Sequence, residues 1–294
     1  MKRLGIWIAI VLLFSPLGFG LEVSPRYAKA IAGARASGAG NASVAQPQDS
    51  DSIFSNPALM SHSGISELSF TGYEFFQTQY TLLNGSYEWN DWVVGVGMAQ
   101  TGVKDVPEAT YSGGTITETG SSVANSNTIY KLGISRALLS NLWVGANASY
   151  TYHQIHNSSA SGVGADVGLA FDISPHIRLG LAMDNVSQPV LKWSDSYEET
   201  LASTLRFGTA FKLDSKTTLL MDYHKTGSDK GSIHAGVEQY IHPLVQVRFG
   251  TNNSGLTTGA TLSLRNLKIN IAYSMSPEAH IDDVFRFGLG YQIQ

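Results

Sequence analysis

The sequence predicts an all-β protein, a 14-stranded antiparallel transmembrane β-barrel preceded by an N-terminal region of a different kind. From residue 66 onward, apolar and polar residues alternate with a period of two, which indicates strands. The alternating segments are close to the length of about 9 to 11 residues that a tilted strand needs to cross a bilayer. The connections alternate between tight turns and longer loops, as they do in outer-membrane barrels.

Residues 1–20 have the pattern of a secretory signal peptide. Lys2 and Arg3 precede a short apolar run, and small residues follow Pro16. The run is too short for a membrane-spanning helix, which needs roughly 20 apolar residues. We therefore expect an exported protein, and together with the strand pattern this predicts the bacterial outer membrane.

The composition narrows the function classes. The chain has no cysteine, so it has no disulfide framework. Without residues 1–20 it carries 17 basic and 23 acidic residues, a net charge of −6, which argues against a nucleic-acid partner. Only 14% of residues are charged, whereas about a quarter is usual in soluble domains. This composition favours outer-membrane lipid as the surroundings of the barrel.

Residues 21–63 form a second region, rich in small residues and ending in the run FSNPALM. Proline fixes its own φ and disfavours helical conformation at the residue before it, so Asn56-Pro57 interrupts regular structure. The Asn56 side chain is expected to cap a backbone turn there. This region could be a folded plug, a linker or a cap, and it precedes the barrel that we predict for residues 64–294.

Fourteen segments have the strand pattern. In the last of them, Phe285, Phe287 and Leu289 share one face, while Arg286 and Gly288 share the other. The predicted strands are 64–72, 77–89, 92–101, 125–136, 141–153, 161–171, 176–184, 202–212, 217–225, 231–240, 243–251, 256–264, 267–274 and 284–292.

Loop length distinguishes the two ends of the predicted barrel. Connections after even-numbered strands are tight, and those after odd-numbered strands are generally longer. The longest predicted loops are 102–124 and 185–201. Outer-membrane barrels have short periplasmic turns and longer extracellular loops, so an even strand count places both termini on the periplasmic side.

The composition of the polar strand face indicates whether that face lines a barrel lumen or covers the surface of a soluble protein. A soluble β-sandwich would show the same alternation, but its solvated face would have no reason to be rich in glycine, which weakens a strand. The inner face of a crowded lumen does have a reason to be rich in glycine, because small residues leave space for bulky neighbours and a plug. The charged residues that we expect to line the lumen are Lys131, Asp166, Arg178, Arg206, Asp222, His224, His234, Glu238, Arg248 and Arg286.

Aromatic residues lie near many strand ends. In membrane barrels such residues form girdles at the two membrane interfaces. The residues expected in these girdles are Tyr87, Trp89, Trp92, Tyr150, Tyr152, Tyr240 and Tyr273.

Five of the lumen residues lie on three neighbouring strands, so they could form one cluster. Either this cluster is an ionic network that braces the wall against the hatch, or it is a patch that selects or orients solutes. The five residues are Asp222, His224, His234, Glu238 and Arg248.

No feature of the sequence predicts an enzyme. A G-x-S-x-G nucleophile element is absent from the sequence, and no ordered triad can be identified. His153 and His156 lack the further ligands that a zinc site needs, so we interpret them as a surface pair. We expect no cofactor and no metal.

The residues also resemble a known family. The run AGARASGAGNASVAQPQDSDSIFSNPALM is similar to the start of the PorV/PorQ group of FadL-like outer-membrane proteins. The strand sequences TLRFGTAFKL, HAGVEQY, VQVRFG, KINIAY and FRFGLGYQ are similar to strands of the same group. The resemblance implies a fourteen-stranded barrel with a lumenal hatch, and its most specific part contains Asn56, Pro57 and Ala58.

The chain departs from this family at two points. It ends in Ile293-Gln294, whereas outer-membrane barrels usually end in an aromatic residue that the barrel assembly machinery, an expected partner, reads. Its predicted lumen is polar and charged, unlike the apolar pocket of FadL-like fatty-acid transporters.

Three functions remain open at this point. The parent fold implies a passive conduit for small, partly hydrophobic solutes. The PorV/PorQ resemblance implies an accessory of type IX secretion that holds or passes on exported proteins. A structural barrel without transport activity is the third.

Overall fold

A computed structural model describes residues 31–63, 66–75, 77–112, 114–194, 196–253, 255–276 and 283–293. The predicted signal peptide, the first ten residues of the predicted hatch region and Gln294 lie outside the described residues.

The described residues form sixteen strands, fourteen of which build the barrel. The remaining two, β8 and β9, form a small hairpin after β7. The strands are β1 Ser66–Phe75, β2 Thr78–Trp89, β3 Trp92–Ser112, β4 Thr115–Leu139, β5 Leu142–Ile155, β6 Ser158–Ser174, β7 Ile177–Asp184, β8 Val190–Trp193, β9 Glu198–Thr200, β10 Thr204–Lys212, β11 Thr217–Thr226, β12 Ser232–His242, β13 Val245–Asn252, β14 Gly255–Leu264, β15 Leu267–Ser274 and β16 Val284–Ile293.

The barrel is a closed antiparallel meander. Each barrel strand pairs with the next one along the chain, and β7 pairs with β10 past the small hairpin. The sheet closes where β1 pairs with β16, from Ser66 opposite Ile293 to Tyr73 opposite Arg286. The predicted 14-stranded closed barrel is therefore confirmed, and each predicted strand overlaps an observed one.

The prediction of the two longest loops, 102–124 and 185–201, is partly wrong, because the structure has strands within both. β3 and β4 run through residues 102–124 as a ladder that extends to Ser112 opposite Thr115. β2 and β5 end before that point, so β3 and β4 satisfy each other's backbone groups beyond the barrel wall. Within the other predicted loop, β8 pairs with β6 and with β9. The Ser, Gly and Thr content of these stretches hid the strands, although threonine favours strands.

The outer face of the barrel is apolar. Leu68 is 52% exposed and Val163 is 70% exposed, and large apolar side chains like these recur on every second residue of the wall. At the end of the barrel with the tight turns, here the turn end, the Arg136 guanidinium lies 4.7 Å from the centre of the Trp92 ring. The opposite end, which carries the β3–β4 and β8–β9 hairpins, is the loop end. An apolar band with aromatic residues at its border suits a lipid environment.

One predicted girdle residue faces inward. Tyr240 lies two residues after Glu238, whose side chain is buried in the lumen, so the two residues share one face of β12. Tyr240 lines a cavity at the turn end instead of contacting lipid.

Residues 31–63, called the N-terminal segment below, lie inside the barrel. Three short helices belong to this segment: α1 Ala34–Gly38, α2 Ser52–Ser55 and α3 Met60–Ser63. Among the helices of the described residues, none is long and apolar enough to span a membrane. Between residues 34 and 60 most side chains of the segment are buried.

The N-terminal segment lies against all fourteen barrel strands. Ser50 hydrogen-bonds β1, Asp51 bonds β2, Asp49 pairs with β15 and Asp222 of β11 accepts from Ser43. The other ten strands are met through inward-facing glycines, at Gly95, Gly133, Gly145, Gly168, Gly180, Gly208, Gly236, Gly250, Gly259 and Gly288. The segment therefore fills the cross-section of the barrel.

The inward glycines make this close approach possible. A Cβ atom added at Gly145 would overlap the backbone of Pro57, and one added at Gly180 would overlap the Val44 carbonyl. Facing strands also place glycine opposite glycine, as at Gly145 and Gly168. The glycine content of the polar strand face is thus explained by backbone-to-backbone packing.

Replacing Gly145 or Gly180 by alanine is expected to lower the free energy of unfolding by about 1–3 kcal/mol, because rigid backbone blocks the new methyl group. Gly102→Ala is the control, since a Cβ there meets its nearest atom at 3.6 Å. Urea unfolding in lipid vesicles measures the difference. Equal stabilities for the three variants would contradict the packing described here.

Candidate functional site: the filled lumen

Asn56 joins two parts of the N-terminal segment to the wall. Its Oδ1 accepts from the Ala58 amide at 3.1 Å and so caps the 3-10 turn Pro57–Leu59. Its Nδ2 donates to the Val44 carbonyl at 2.8 Å and to the Leu169 carbonyl of β6 at 3.1 Å. The side chain is fully buried. The Asn-Pro-Ala run thus forms a rigid corner at which the segment, the turn and the wall meet.

A first charged group lies on the loop-end side of this corner. Lys131 Nζ is 2.8 Å from Asp166 Oδ2 and 3.7 Å from Asp184 Oδ1, and Arg206 also pairs with Asp184. Arg206 NH1 donates to the Phe54 carbonyl at 3.1 Å, and Lys131 Nζ lies 4.9 Å from the centre of the Phe54 ring. Wall charges therefore hold both the backbone and the ring of Phe54.

A second group binds the backbone of the segment at residues 40–44. Asp222 Oδ2 accepts from the amides of Ser43 at 2.7 Å and Val44 at 2.9 Å. His234 Nδ1 donates to the Gly40 carbonyl at 2.8 Å, and its ring stacks on His224 with centroids 4.1 Å apart.

A third group is centred on Glu238. Arg248 Nε donates to Glu238 Oε1 at 2.7 Å, and Arg35 of the N-terminal segment lies 3.4 Å from the same oxygen. Gln46 Nε2 donates to Glu238 Oε2 at 2.7 Å. The expected single cluster of five wall residues is therefore two groups. Backbone atoms of the segment occupy the space around Asp222, and of these five residues only Glu238 pairs with the Arg35 side chain.

The two remaining lumen residues pair within the wall. Arg178 binds both carboxylate oxygens of Asp172, with Nε to Oδ1 at 2.5 Å and NH2 to Oδ2 at 3.0 Å. Arg286 lies 4.3 Å from the centre of the Tyr73 ring and donates to Ser274 Oγ at 3.0 Å. Each residue of the predicted lumen set thus has its side chain on the inner face of the barrel.

The interpretation of His153 as a surface residue is wrong. The residue is 3% exposed, and its ring contacts Asn125 Oδ1 at 3.0 Å and lies 5.1 Å from the Trp193 ring. Residue 153 has the lumen-facing parity of β5, whereas His156 is an exposed turn residue with φ of 51°. No group of three or more metal-binding side chains occurs among the described residues.

The loop-end side of the segment is apolar on one half of the barrel. Ile53, Phe54 and Met60 pack with Leu82 and Tyr73. The cluster also contains Val93, Ala99 and Val284, with Ile31, Phe75, Tyr80 and Ile129 at its border. Leu82 explains the broken alternation of β2, because it faces this cluster while Leu83 is 51% exposed on the outside.

The turn-end side of the segment is polar. A cavity of about 320 Å³ lies there between the segment and the wall. Arg35, Gln46 and Asp49 line it from the segment, and Lys212 and Tyr240 line it from the wall. The two sides of the segment therefore differ in polarity.

The pKa values of two neighbouring carboxyl groups of the segment, Asp49 and Asp51, are shifted in opposite directions. Asp51 accepts from Ser69 Oγ at 2.6 Å and Asn84 Nδ2 at 2.7 Å, and burial raises its pKa. Burial would also raise the pKa of Asp49, but the Arg35 and Lys268 charges hold it below its usual value. Asp51 is thus a buried acid held by neutral donors, and Asp49 is a buried ion-paired acid.

Sequence reasoning missed the charged residues of the segment itself. Arg35, Asp49 and Asp51 stand out in a stretch made mainly of small residues, and that contrast was the available signal. Glu67 was also missed, although it has the inward parity of β1 and pairs with Lys268 at 3.2 Å.

No protein-family model matches the chain, and no curated protein matches it in sequence. Solved structures match its fold. The toluene transporter TbuX of Ralstonia pickettii has a TM-score of 0.67 at 13% identity, covering 90% of this chain and 98% of its own. The toluene transporter TodX of Pseudomonas putida has 0.65 at 12%, covering 89% and 97%. A Pseudomonas aeruginosa FadL homologue has 0.60 at 11%, covering 89% and 98%. At these identities the likeness is one of fold, a closed antiparallel barrel like those of these three proteins.

Replacing Asp49 or Asp51 by asparagine is expected to have opposite effects on stability. Asp49→Asn removes one of the two carboxylate partners of Arg35 and of Lys268, which keep Glu238 and Glu67, and it lowers the free energy of unfolding at pH 7 by about 2 kcal/mol. Asp51→Asn keeps an acceptor for Ser69 and removes a buried charge, so it raises that free energy by about 1 kcal/mol.

The effects of the two substitutions on the free energy of unfolding should also change with pH. The Asp49 contribution is present above its ordinary pKa of about 4 and is lost as pH falls through its lowered value. The Asp51 penalty is full above its raised pKa and absent below about pH 4, so the gain of Asp51→Asn disappears there. Urea unfolding at pH 7 and pH 3.5 measures both, and the same sign for the two variants would contradict the assignment.

Proposed function

We propose that this protein is a bacterial outer-membrane channel that acts as a passive conduit for small, partly hydrophobic solutes. One observation carries the proposal: a barrel with an apolar outer face is filled by a single segment, and on one half of the barrel the loop-end side of this segment is apolar, at Ile53, Phe54 and Met60. The toluene transporters TbuX and TodX share the fold, which supports this reading.

The two sides of the segment suggest the direction of passage. On the half of the barrel that holds the apolar cluster, a solute that enters from the loop end meets apolar side chains first, and the polar cavity lies beyond the segment. Since the segment fills the cross-section, passage requires it to rearrange or requires an exit sideways through the wall. Hydrogen bonds such as those from Ser43 and Val44 to Asp222 can be exchanged for bonds to water, so rearrangement is feasible.

The proposed function also includes how the protein reaches the outer membrane and what surrounds it there. Export through the signal peptide of residues 1–20, insertion by the barrel assembly machinery and contact with outer-membrane lipid all belong to it. Residues 21–63 are the hatch in this reading, and Asn56, Pro57 and Ala58 are its corner.

Uptake measurements test the conduit. Gram-negative cells that express the full chain are expected to take up radiolabelled toluene several times faster than cells with an empty vector, whereas uptake of labelled glucose should not change. The reason is that the apolar cluster on the loop-end side of the segment offers contacts that favour an apolar solute such as toluene over glucose. Equal toluene rates in the two cell lines would overturn the proposal.

A role as an accessory of type IX secretion, in line with the PorV/PorQ resemblance, is the second candidate. The observation that favours it is the β3–β4 hairpin, whose strands pair only with each other beyond Gly102 and so project past the barrel wall. A projecting hairpin offers strand edges to an exported protein.

Deleting residues 103–124 distinguishes the two candidates, because the barrel ladders do not depend on them. A conduit keeps its toluene uptake without the hairpin, whereas a secretion accessory loses co-purification with exported proteins. Unchanged co-purification would count against the secretion role, and a structural barrel would show neither activity.

A further inference from the structure

The contact between Phe54 and Lys131 differs from the other aromatic contacts of the lumen. Phe54 is the only Phe, Tyr or Trp residue between positions 31 and 63. Four pairs of a cation over an aromatic ring occur among the described residues, and only this one joins the wall to the N-terminal segment. Phe54 is therefore the one ring of the segment that lies under a wall cation, whereas the other ring contact of the segment with the wall is that of His62 with Trp143, with centroids 4.6 Å apart.

Lys131 is held in place independently of this ring. Its Nζ is 2.8 Å from Asp166 and 3.7 Å from Asp184, two carboxylates of the wall. Only 9% of the residue is exposed. Because its anchors belong to β6 and β7, the ammonium group stays in position when the segment moves.

The Phe54 side chain, in contrast, is held by weak contacts. The ring packs against Ile53, Met60 and Leu82 in the apolar cluster and lies next to Gly97. No hydrogen bond can hold a phenyl ring, and apolar contacts are not directional. The Phe54 backbone is fixed separately through its carbonyl by Arg206.

We propose that the Phe54 ring is exchangeable and that Lys131 is a specificity-determining residue for passage. The phenyl ring of an aromatic solute takes the place of Phe54 against the Lys131 ammonium group, and the displaced side chain frees the loop-end face of the segment. A cation attracts the face of an aromatic ring through its quadrupole, and a saturated ring of the same size has no such face. Single aromatic rings are thus preferred over saturated ones. This inference rests on the proposed conduit.

Two water-soluble alcohols of equal size test the preference. Cells that express the full chain should take up benzyl alcohol roughly fivefold faster than cyclohexylmethanol, after subtraction of the rate in cells with an empty vector. Lys131→Gln retains a donor for Asp166 but has no charge, and it should reduce this ratio to about one. A ratio that is the same in the variant and the wild type would overturn the inference.

Two further variants make the result specific. Arg136→Gln removes a cation of similar geometry over Trp92 on the outer face, so it should keep the wild-type ratio. Phe54→Leu removes the competing ring and should increase the ratio, which provides an independent test if Lys131→Gln fails to fold. Unchanged selectivity in Phe54→Leu would also overturn the inference. Uptake of neither alcohol above the empty-vector rate would instead overturn the conduit itself.

Discussion

The contact between the backbone of the N-terminal segment and the inward-facing glycines of the wall is the interaction on which the rest of the lumen depends. A closed barrel of fourteen strands has an interior that its own side chains need not fill. Here glycines such as Gly180 and Gly250 let the segment approach the wall at backbone distance. The segment is thereby brought within reach of hydrogen-bonding groups on opposite sides of the barrel, such as Asp222 and Asn147.

The buried charges follow from this contact. An unpaired charge in a dry interior is costly, so Glu238, Asp166 and Arg248 are stable only with their partners in place. Some of these partners belong to the wall, as in the pair of Lys131 with Asp166, and others belong to the segment, as in the pair of Glu238 with Arg35. Displacement of the segment would expose to water the pairs between wall and segment, such as Glu238 with Arg35, and would leave pairs within the wall, such as Lys131 with Asp166, intact. The wall can therefore keep its shape while the segment rearranges.

The strand pattern was predictable because a two-residue period follows from the pleat and does not depend on tertiary contacts. The same parity placed Lys131, Asp222 and Arg248 on the inner face. The same parity also places Tyr240 and His153 on the inner face, and the predictions for these two residues were wrong because they relied on residue type instead. Pairings such as Arg35 with Glu238 join residues about 200 positions apart, and no local pattern encodes them. Strand extension in the β3–β4 hairpin depends on partner strands ending, which local composition does not show either.

The N-terminal segment closes the barrel, because it occupies the whole cross-section. Conductance in planar bilayers measures this closure, with the full chain compared with a chain that lacks residues 21–63 but keeps its export signal. The full chain is expected to conduct little, and the shortened chain is expected to form a steadily open pore. Equal conductance of the two proteins, with both inserted as folded barrels, would show that the segment does not close the barrel.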